Sequence, residues 1–436
     1  MMSILLRTEQ FFFRRVDARG FGIMRIAWAL ATFFSMLWRL PDVLRFYSNA
    51  GMLPVSLEPY VMHTMYRFSL LDTITGPTGV LALYALLLTS LACAAIGYRT
   101  RASVILSVVL LFSFHERNTI LLSGGDTVLR FTGFFLLLCP VITAFSLDRL
   151  RNQWHTWNRH HHLLPPPTMP VWPVLLLTWQ LVILYFTSFW DKMQGSAWPH
   201  GTAVASILHQ AYFVYWPRFI MDMGAFASPA MDYATLAYEF SWLLLIIPAA
   251  LHKDLPWKHK DRVRRLILCG GILFHGSIFL LMDVGSFTPA LLAAYCGLLT
   301  KEDFDLVRRR LNRQTKPGSI TVLYDGRCKL CRRSMFGLQI LDWLHRLHAV
   351  DFHKKAAHAE VAPDVQRADL DLALHIRFAN GHTEKGFYAF RALAWHLPLL
   401  WIKAPFLYLP GVSFIGERVY AGIARRRERC SHIHCD

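Results

Sequence analysis

The chain has 436 residues, of which 54% are hydrophobic and 17% charged, and its mean hydropathy is +0.32. That balance argues against an ordinary soluble protein, which is less apolar and more charged. The net charge of +17 is spread in short basic clusters between apolar runs, a membrane-topology pattern that excludes a nucleic-acid surface as the main reading.

Residues 1–19 alternate apolar and charged, so no cleavable leader is expected. Apolar runs near 21–40, 80–97, 102–122, 127–146, 171–190, 234–251, 265–282 and 286–300 predict about eight spans, since a helix needs roughly 17–25 residues to cross the hydrocarbon layer. Gly76-Pro77, Gly124-Gly125 and Pro165-Pro166-Pro167 punctuate them. Alternate connections are basic: Arg14, Arg15 and Arg19; Arg99 and Arg101; Arg149, Arg151 and Arg159; Lys253 to Arg265; Lys301 to Lys316. The positive-inside rule makes that side cytoplasmic. Both termini are then expected in the cytoplasm of an inner or plasma membrane.

Ionisable residues within such spans are costly and mark candidate sites. Arg117, Asn118 and Asp126 stand at the connection between the third and fourth runs, where Asp126 and Arg130 have the i,i+4 spacing of an ion pair. A structural pair and a ligand-facing role are both open there. Lys192 follows an aromatic stretch and precedes Trp198; it reads either as a buried base or as a lysine snorkelling from an aromatic belt. Glu239 and His275 lie within the sixth and seventh runs, placed for a buried acid–base couple or for packing hydrogen bonds.

After Thr300 the composition changes. A basic linker over 301–318 leads to the β-branched run 319–324, read as a strand. A helix is predicted from Cys328 to His348, with Met335, Leu338, Leu341, Leu344 and Leu347 on a helical period. A strand over 372–378 ends at Asn380-Gly381, and helices follow over 386–397 and 412–427. The alternation predicts a small α/β domain over 319–436. Its first strand runs into Cys328-Lys329-Leu330-Cys331. At a helix start, backbone N–H groups and the helix dipole stabilise a thiolate. Cys328 is therefore the expected nucleophile and Cys331 the resolving thiol, with Arg327, Lys329, Arg332 and Arg333 expected to lower the thiol pKa further. A zinc half-site completed by Cys430, His432, His434 and Cys435 is the alternative.

The run Asp325-Gly326-Arg327-Cys328-Lys329-Leu330-Cys331 resembles the DxxCxxC signature of the DCC family of thiol-disulfide oxidoreductases, and Gly386 to Phe390, Leu409 to Val412 and Tyr420 to Arg427 are similar to its later blocks. The resemblance covers about 319–430. It implies a thioredoxin-like fold and carries over Asp325, Cys328 and Cys331 as motif positions. The order Arg25, Tyr47 to Pro54, His115 to Asn118 with Asp126, Ser146 to Asp148, Lys192 with Trp198 and Gly201, then His275 with Gly285 and Phe287, is similar to the horizontally transferred transmembrane domain family, which includes vitamin-K-dependent gamma-carboxylase. That resemblance covers about 10–300. It implies a lipophilic quinone, vitamin K-like, as cofactor or substrate, with Lys192 as the matching base.

Together these readings predict an integral-membrane oxidoreductase: a polytopic α-helical membrane domain joined to a small α/β thioredoxin-like domain. Arg117, Asn118, Asp126, Trp198, Glu239 and His275 would line a quinone or substrate site. The expected partners are the lipid bilayer, the quinone and a thiol partner protein, with no nucleic acid. The alternative is a non-catalytic membrane assembly or maturation factor whose thiols hold a metal or a client. The charge pattern puts Lys192 and the thiols on opposite sides, so a mobile carrier would have to link them.

Overall fold

The computed structural model describes residues 9, 11–57, 60, 67–246, 259–313, 318–353, 362–363 and 365–431, with backbone alone at 223 and 426–431. The chain divides into two compact units, Met1–Arg151 with Pro165–Glu302, and Asn152–Leu164 with Asp303–Asp436.

The first unit is helical. A short strand β1 (Arg15–Asp17) leads into α1 (Arg19–Trp38), followed by α2 (Pro77–Ile96), α3 (Thr100–Arg117) and α4 (Gly124–Leu138). Helix α5 (Leu147–His160) carries the chain out of this unit, and β2 (Thr168–Pro170) brings it back by pairing antiparallel with β1. Then come α6 (Trp172–Gln194), α7 (Ser228–Ser241), α8 (Lys260–Leu281) and α9 (Phe287–Cys296). Helices α2, α4 and α9 pack around α1, and α3 packs on both α2 and α4; α7 lies against α6 and α8. Local chemistry sets the ends. Pro77 opens α2, where its missing N–H costs nothing. Gly97 closes it with φ +71, and a Cβ there would meet Ser146 Cβ at 2.3 Å. Ser123 and Asp126 form a reciprocal capping box at the start of α4. Inside, the Trp28 indole donates to the Leu129 carbonyl at 2.8 Å, and the Ser90 and Ser107 hydroxyls bond at 2.9 Å, the small-polar contact that holds apolar helices together.

Among the described residues, four helices are long and apolar enough to cross a membrane: α1, α2, α6 and α8. The charge alternation predicts about eight, and the other four runs do not meet that measure among the described residues. Helix α3 carries Arg101, Glu116 and Arg117 within its 18 residues. Helix α4 has 15 residues and α9 has 10, which at about 1.5 Å per residue fall short of a hydrocarbon layer about 30 Å thick. Helix α7 has 14 residues before a 3-10 turn at Trp242–Leu245, and residues 247–251 of that run lie outside the described residues.

In the second unit, the expected linker is partly a helix, α10 (Lys301–Leu311). It is followed by β3 (Ile320–Tyr324), α11 (Lys329–Leu341), β4 (Leu347–Asp351), β5 (His375–Phe378), β6 (Thr383–Lys385), α12 (Gly386–His396) and α13 (Val412–Ser431). The sheet order is β4-β3-β5-β6. Strands β3 and β4 are parallel, with Ile320 opposite Leu347, and α11 is their crossover; β5 is antiparallel to both β3 and β6. Helix α11 stops seven residues before the expected end at His348. The Asp342 carboxylate takes the N–H groups of Arg346 at 2.9 Å and Leu347 at 2.7 Å, and the chain turns into β4. Val322, Met335, Ile376, Ala389 and Leu393 are fully buried between the sheet and its helices. Trp154 and Trp157, from the second half of α5, close that core. The Trp157 indole donates to the Arg332 carbonyl at 3.1 Å, and Trp154 meets the Phe336 ring edge-on at 5.1 Å.

Candidate active site at the start of a redox helix

Strand β3 ends at Tyr324 and α11 begins at Lys329, so the motif is the turn between them. Cys328 is the N-cap residue, in extended conformation, and Cys331 lies in the first helical turn. Both side chains are buried, Cys328 at 2% exposure and Cys331 at 8%.

Asp325 shapes the turn. Its Oδ1 accepts the N–H of Arg327 at 2.9 Å and of Cys328 at 3.2 Å. The same oxygen meets His353 Nε2 at 2.8 Å. Arg367 reaches His353 Nδ1 at 2.6 Å; as arginine only donates, Nδ1 accepts and Nε2 carries the proton to Asp325. Asp351, at the end of β4, accepts the N–H of Gly326 at 3.1 Å and of His353 at 3.1 Å. A Cβ on residue 326 would sit 2.2 Å from that carboxylate, so the turn requires glycine there. Sequence reasoning found Asp325 but missed His353 and Asp351. They arrive only because β3 and β4 pair side by side, and nothing local to 351–353 marks them.

The Cys328 thiol is held down to about 6. The first cause is a hydrogen bond from the Cys331 side chain to the Cys328 sulfur; burial opposes it, the backbone N–H groups of Cys331 and Leu330 add to it, and the Asp325 charge pushes the other way. The charges of Arg327, Lys329, Arg332 and Arg333 are not among these causes, contrary to expectation. Arg333 stacks over Trp154 instead, 5.9 Å from the ring centre. A thiolate with its thiol partner one helical turn on is the arrangement that attacks a disulfide and then resolves the mixed disulfide. Among the candidate zinc ligands, the Cys430 side chain, His432, His434 and Cys435 lie outside the described residues.

The candidate residues of the helical unit fall into three neighbourhoods. In the first, the Asp126 carboxylate binds Arg39 at 2.8 Å and the Ser123 N–H at 2.9 Å. The expected Asp126–Arg130 pair does not form, because Arg130 turns to Glu116 and Arg39 arrives from the end of α1. Arg117 donates to the Leu53 carbonyl at 2.6 Å and Asn118 to the Phe46 carbonyl at 3.0 Å, so both brace the loop after α1. In the second, Lys192 Nζ bonds Glu239 at 2.7 Å and Ser188 Oγ at 2.6 Å, and lies 5.1 Å from the centre of the Trp198 ring. In the third, His275 Nε2 meets the Tyr185 hydroxyl at 2.6 Å, and Tyr185 bonds Tyr295 in turn. Glu239 and His275 therefore do not couple with each other: the nearer lysine takes the acid and the tyrosine takes the imidazole. Arg39, Ser188, Tyr185 and Tyr295 carry no signal in sequence that separates them from ordinary span residues.

Residues 322–432 match the family model of the DCC1-like thiol-disulfide oxidoreductases. Geometry and match agree on this class for the C-terminal part of the chain, and the resemblance read from Asp325, Cys328 and Cys331 holds there. No curated protein and no solved structure matches the chain.

Proposed function

We propose that the protein is a membrane-anchored thiol-disulfide oxidoreductase in which Cys328 is the nucleophile and Cys331 the resolving thiol. The observation that carries this reading is the lowered Cys328 thiol at the start of α11, with Cys331 hydrogen-bonded to it. The Cys328 thiolate attacks one sulfur of a partner disulfide, forming a mixed disulfide and releasing the partner's other sulfur as a thiolate, which takes a proton. Cys331 gives up its proton and attacks Cys328 Sγ. The second partner thiol leaves, and Cys328 and Cys331 are left as a disulfide. Two electrons pass to the partner, and a reductant of the thiol class restores the pair. Asp325, His353 and Asp351 act as positioning residues.

The strand order, with a parallel βαβ crossover followed by an antiparallel hairpin, supports a thioredoxin-like fold. The four long apolar helices support integration in a bilayer. Cytoplasmic placement of the thiols rests on the basic connections. The share of the helical unit rests on its sequence resemblance to the horizontally transferred transmembrane domain family and on the partly exposed Lys192 paired with the buried Glu239, which suit a site for a quinone or other lipophilic substrate.

The test is trapping. A Cys331→Ser chain mixed with glutathione disulfide should accumulate a mixed disulfide on Cys328, and a Cys328→Ser chain should form none. Equal exchange activity in wild type and Cys328→Ser would sink the reading.

A further inference from the structure

The second unit holds a cavity of about 630 Å³ directly beside Cys331. Leu330, Leu374, Phe387, Phe390, Val412 and Val419 are among the side chains around it, and among the described residues no charged side chain faces it. Its polar groups are the Cys331 thiol, Ser334 and Tyr420, whose hydroxyl already accepts the Leu374 N–H at 2.8 Å. The volume falls in the range of about 300–1,000 Å³ typical of small-molecule sites. Such a lining does not suit a peptide, because backbone N–H and C=O groups buried there would go unpaired. It suits an uncharged molecule with one or two hydrogen-bond acceptors. The cavity is edged by α13, where Ile415, Val419 and Ile423 recur every fourth residue and are 62%, 57% and 46% exposed. Arg418 and Arg425 stand on the same helix. An apolar helix edge with basic neighbours matches the chemistry of an anionic lipid surface.

We infer that this cavity is a binding site for a lipophilic quinone, entering from a bilayer and reacting with the thiol pair. The inference rests on the thiol-exchange reading above and names a substrate class for that same pair. The step balances. Cys328 enters as the thiolate, the S–H bond of Cys331 breaks and one S–S bond forms; two electrons go to the quinone, which takes one proton from Cys331 and one from water, so that its two carbonyl oxygens become the hydroxyls of the hydroquinone. The dithiol is oxidised and the quinone reduced.

The experiment uses the full chain in micelles, reduced and freed of reductant, then mixed with either a fully substituted short-chain ubiquinone or glutathione disulfide. Hydroquinone is followed by absorbance and free thiols by titration. Wild type should react with both oxidants. Val419→Trp, which fills the cavity from an exposed helix position, should slow the quinone reaction about tenfold and leave the glutathione reaction within about twofold. Ile423→Trp provides a second variant should Val419→Trp lose its helical circular dichroism. Oxidation by glutathione disulfide without oxidation by the quinone overturns the inference, as does equal slowing of both reactions or slowing of neither. An apolar peptide that blocks the glutathione reaction of wild type, where the quinone by itself gives no turnover, also overturns it and makes the cavity a client groove. Failure of both oxidants takes down the exchange reading and this one with it.

Discussion

The chemistry of Cys328 depends on a few groups whose effects can be separated. Thiolate reacts and thiol does not, so alkylation of Cys328 by iodoacetamide should rise with pH through a midpoint near 6. Cys331→Ala removes the leading stabiliser of the thiolate, so the midpoint should move up. Asp325→Asn keeps an acceptor for the N–H groups of Arg327 and Cys328 but removes a charge that disfavours the thiolate, so the midpoint should move down. A midpoint that stays put in both variants would mean that neither group sets the thiol. The two cysteines and Asp325 were legible because the motif is contiguous. The source of the lowered pKa was not: four basic neighbours look decisive in sequence, yet the Cys331 thiol donor and the helix N–H groups hold the thiolate against burial and the Asp325 charge, and Arg333 turns to Trp154.

At the scale of elements, periodicity located the pieces better than their ends. The leucines at 338, 341, 344 and 347 continue a helical pattern, but Leu344 and Leu347 are buried from the turn and from β4. The stop is made by one side chain. Burial raises the Asp342 pKa, while the N–H groups of Leu347 and Arg346 lower it. Asp342→Asn turns one acceptor into a donor facing an N–H, so about 1–3 kcal/mol of local stability should be lost. Hydrogen exchange of the β4 amides would show it as reduced protection confined to 346–351. In the helical unit, apolar runs were legible as runs. The short lengths of α4 and α9 were not, nor were the contacts of Arg39 with Asp126 and of Arg117 and Asn118 with the loop after α1, which are tertiary.

For the whole molecule, composition already separated an apolar stretch from a more polar end. Four long apolar helices predict that the chain stays with the membrane fraction after an alkaline carbonate wash. In intact cells an impermeant maleimide should leave Cys328 unlabelled until the membrane is opened; labelling from outside would reverse the proposed orientation. The path of α5 was not legible. Its basic residues read as a connection between spans, whereas Trp154 and Trp157, with Leu163, complete a core whose other members lie beyond residue 319.

That contribution from mid-chain bears on biosynthesis and on how the redox domain can be isolated. Residues 152–164 leave the ribosome well before their partners do, and wait about 155 residues for β3 to be made. A gene fragment beginning at residue 303 would omit them. It would leave the Phe336 edge bare and the Arg332 carbonyl without its indole donor. Such a fragment should unfold at lower denaturant than one in which 152–164 is supplied through a flexible tether. Equal midpoints would show the insertion to be dispensable.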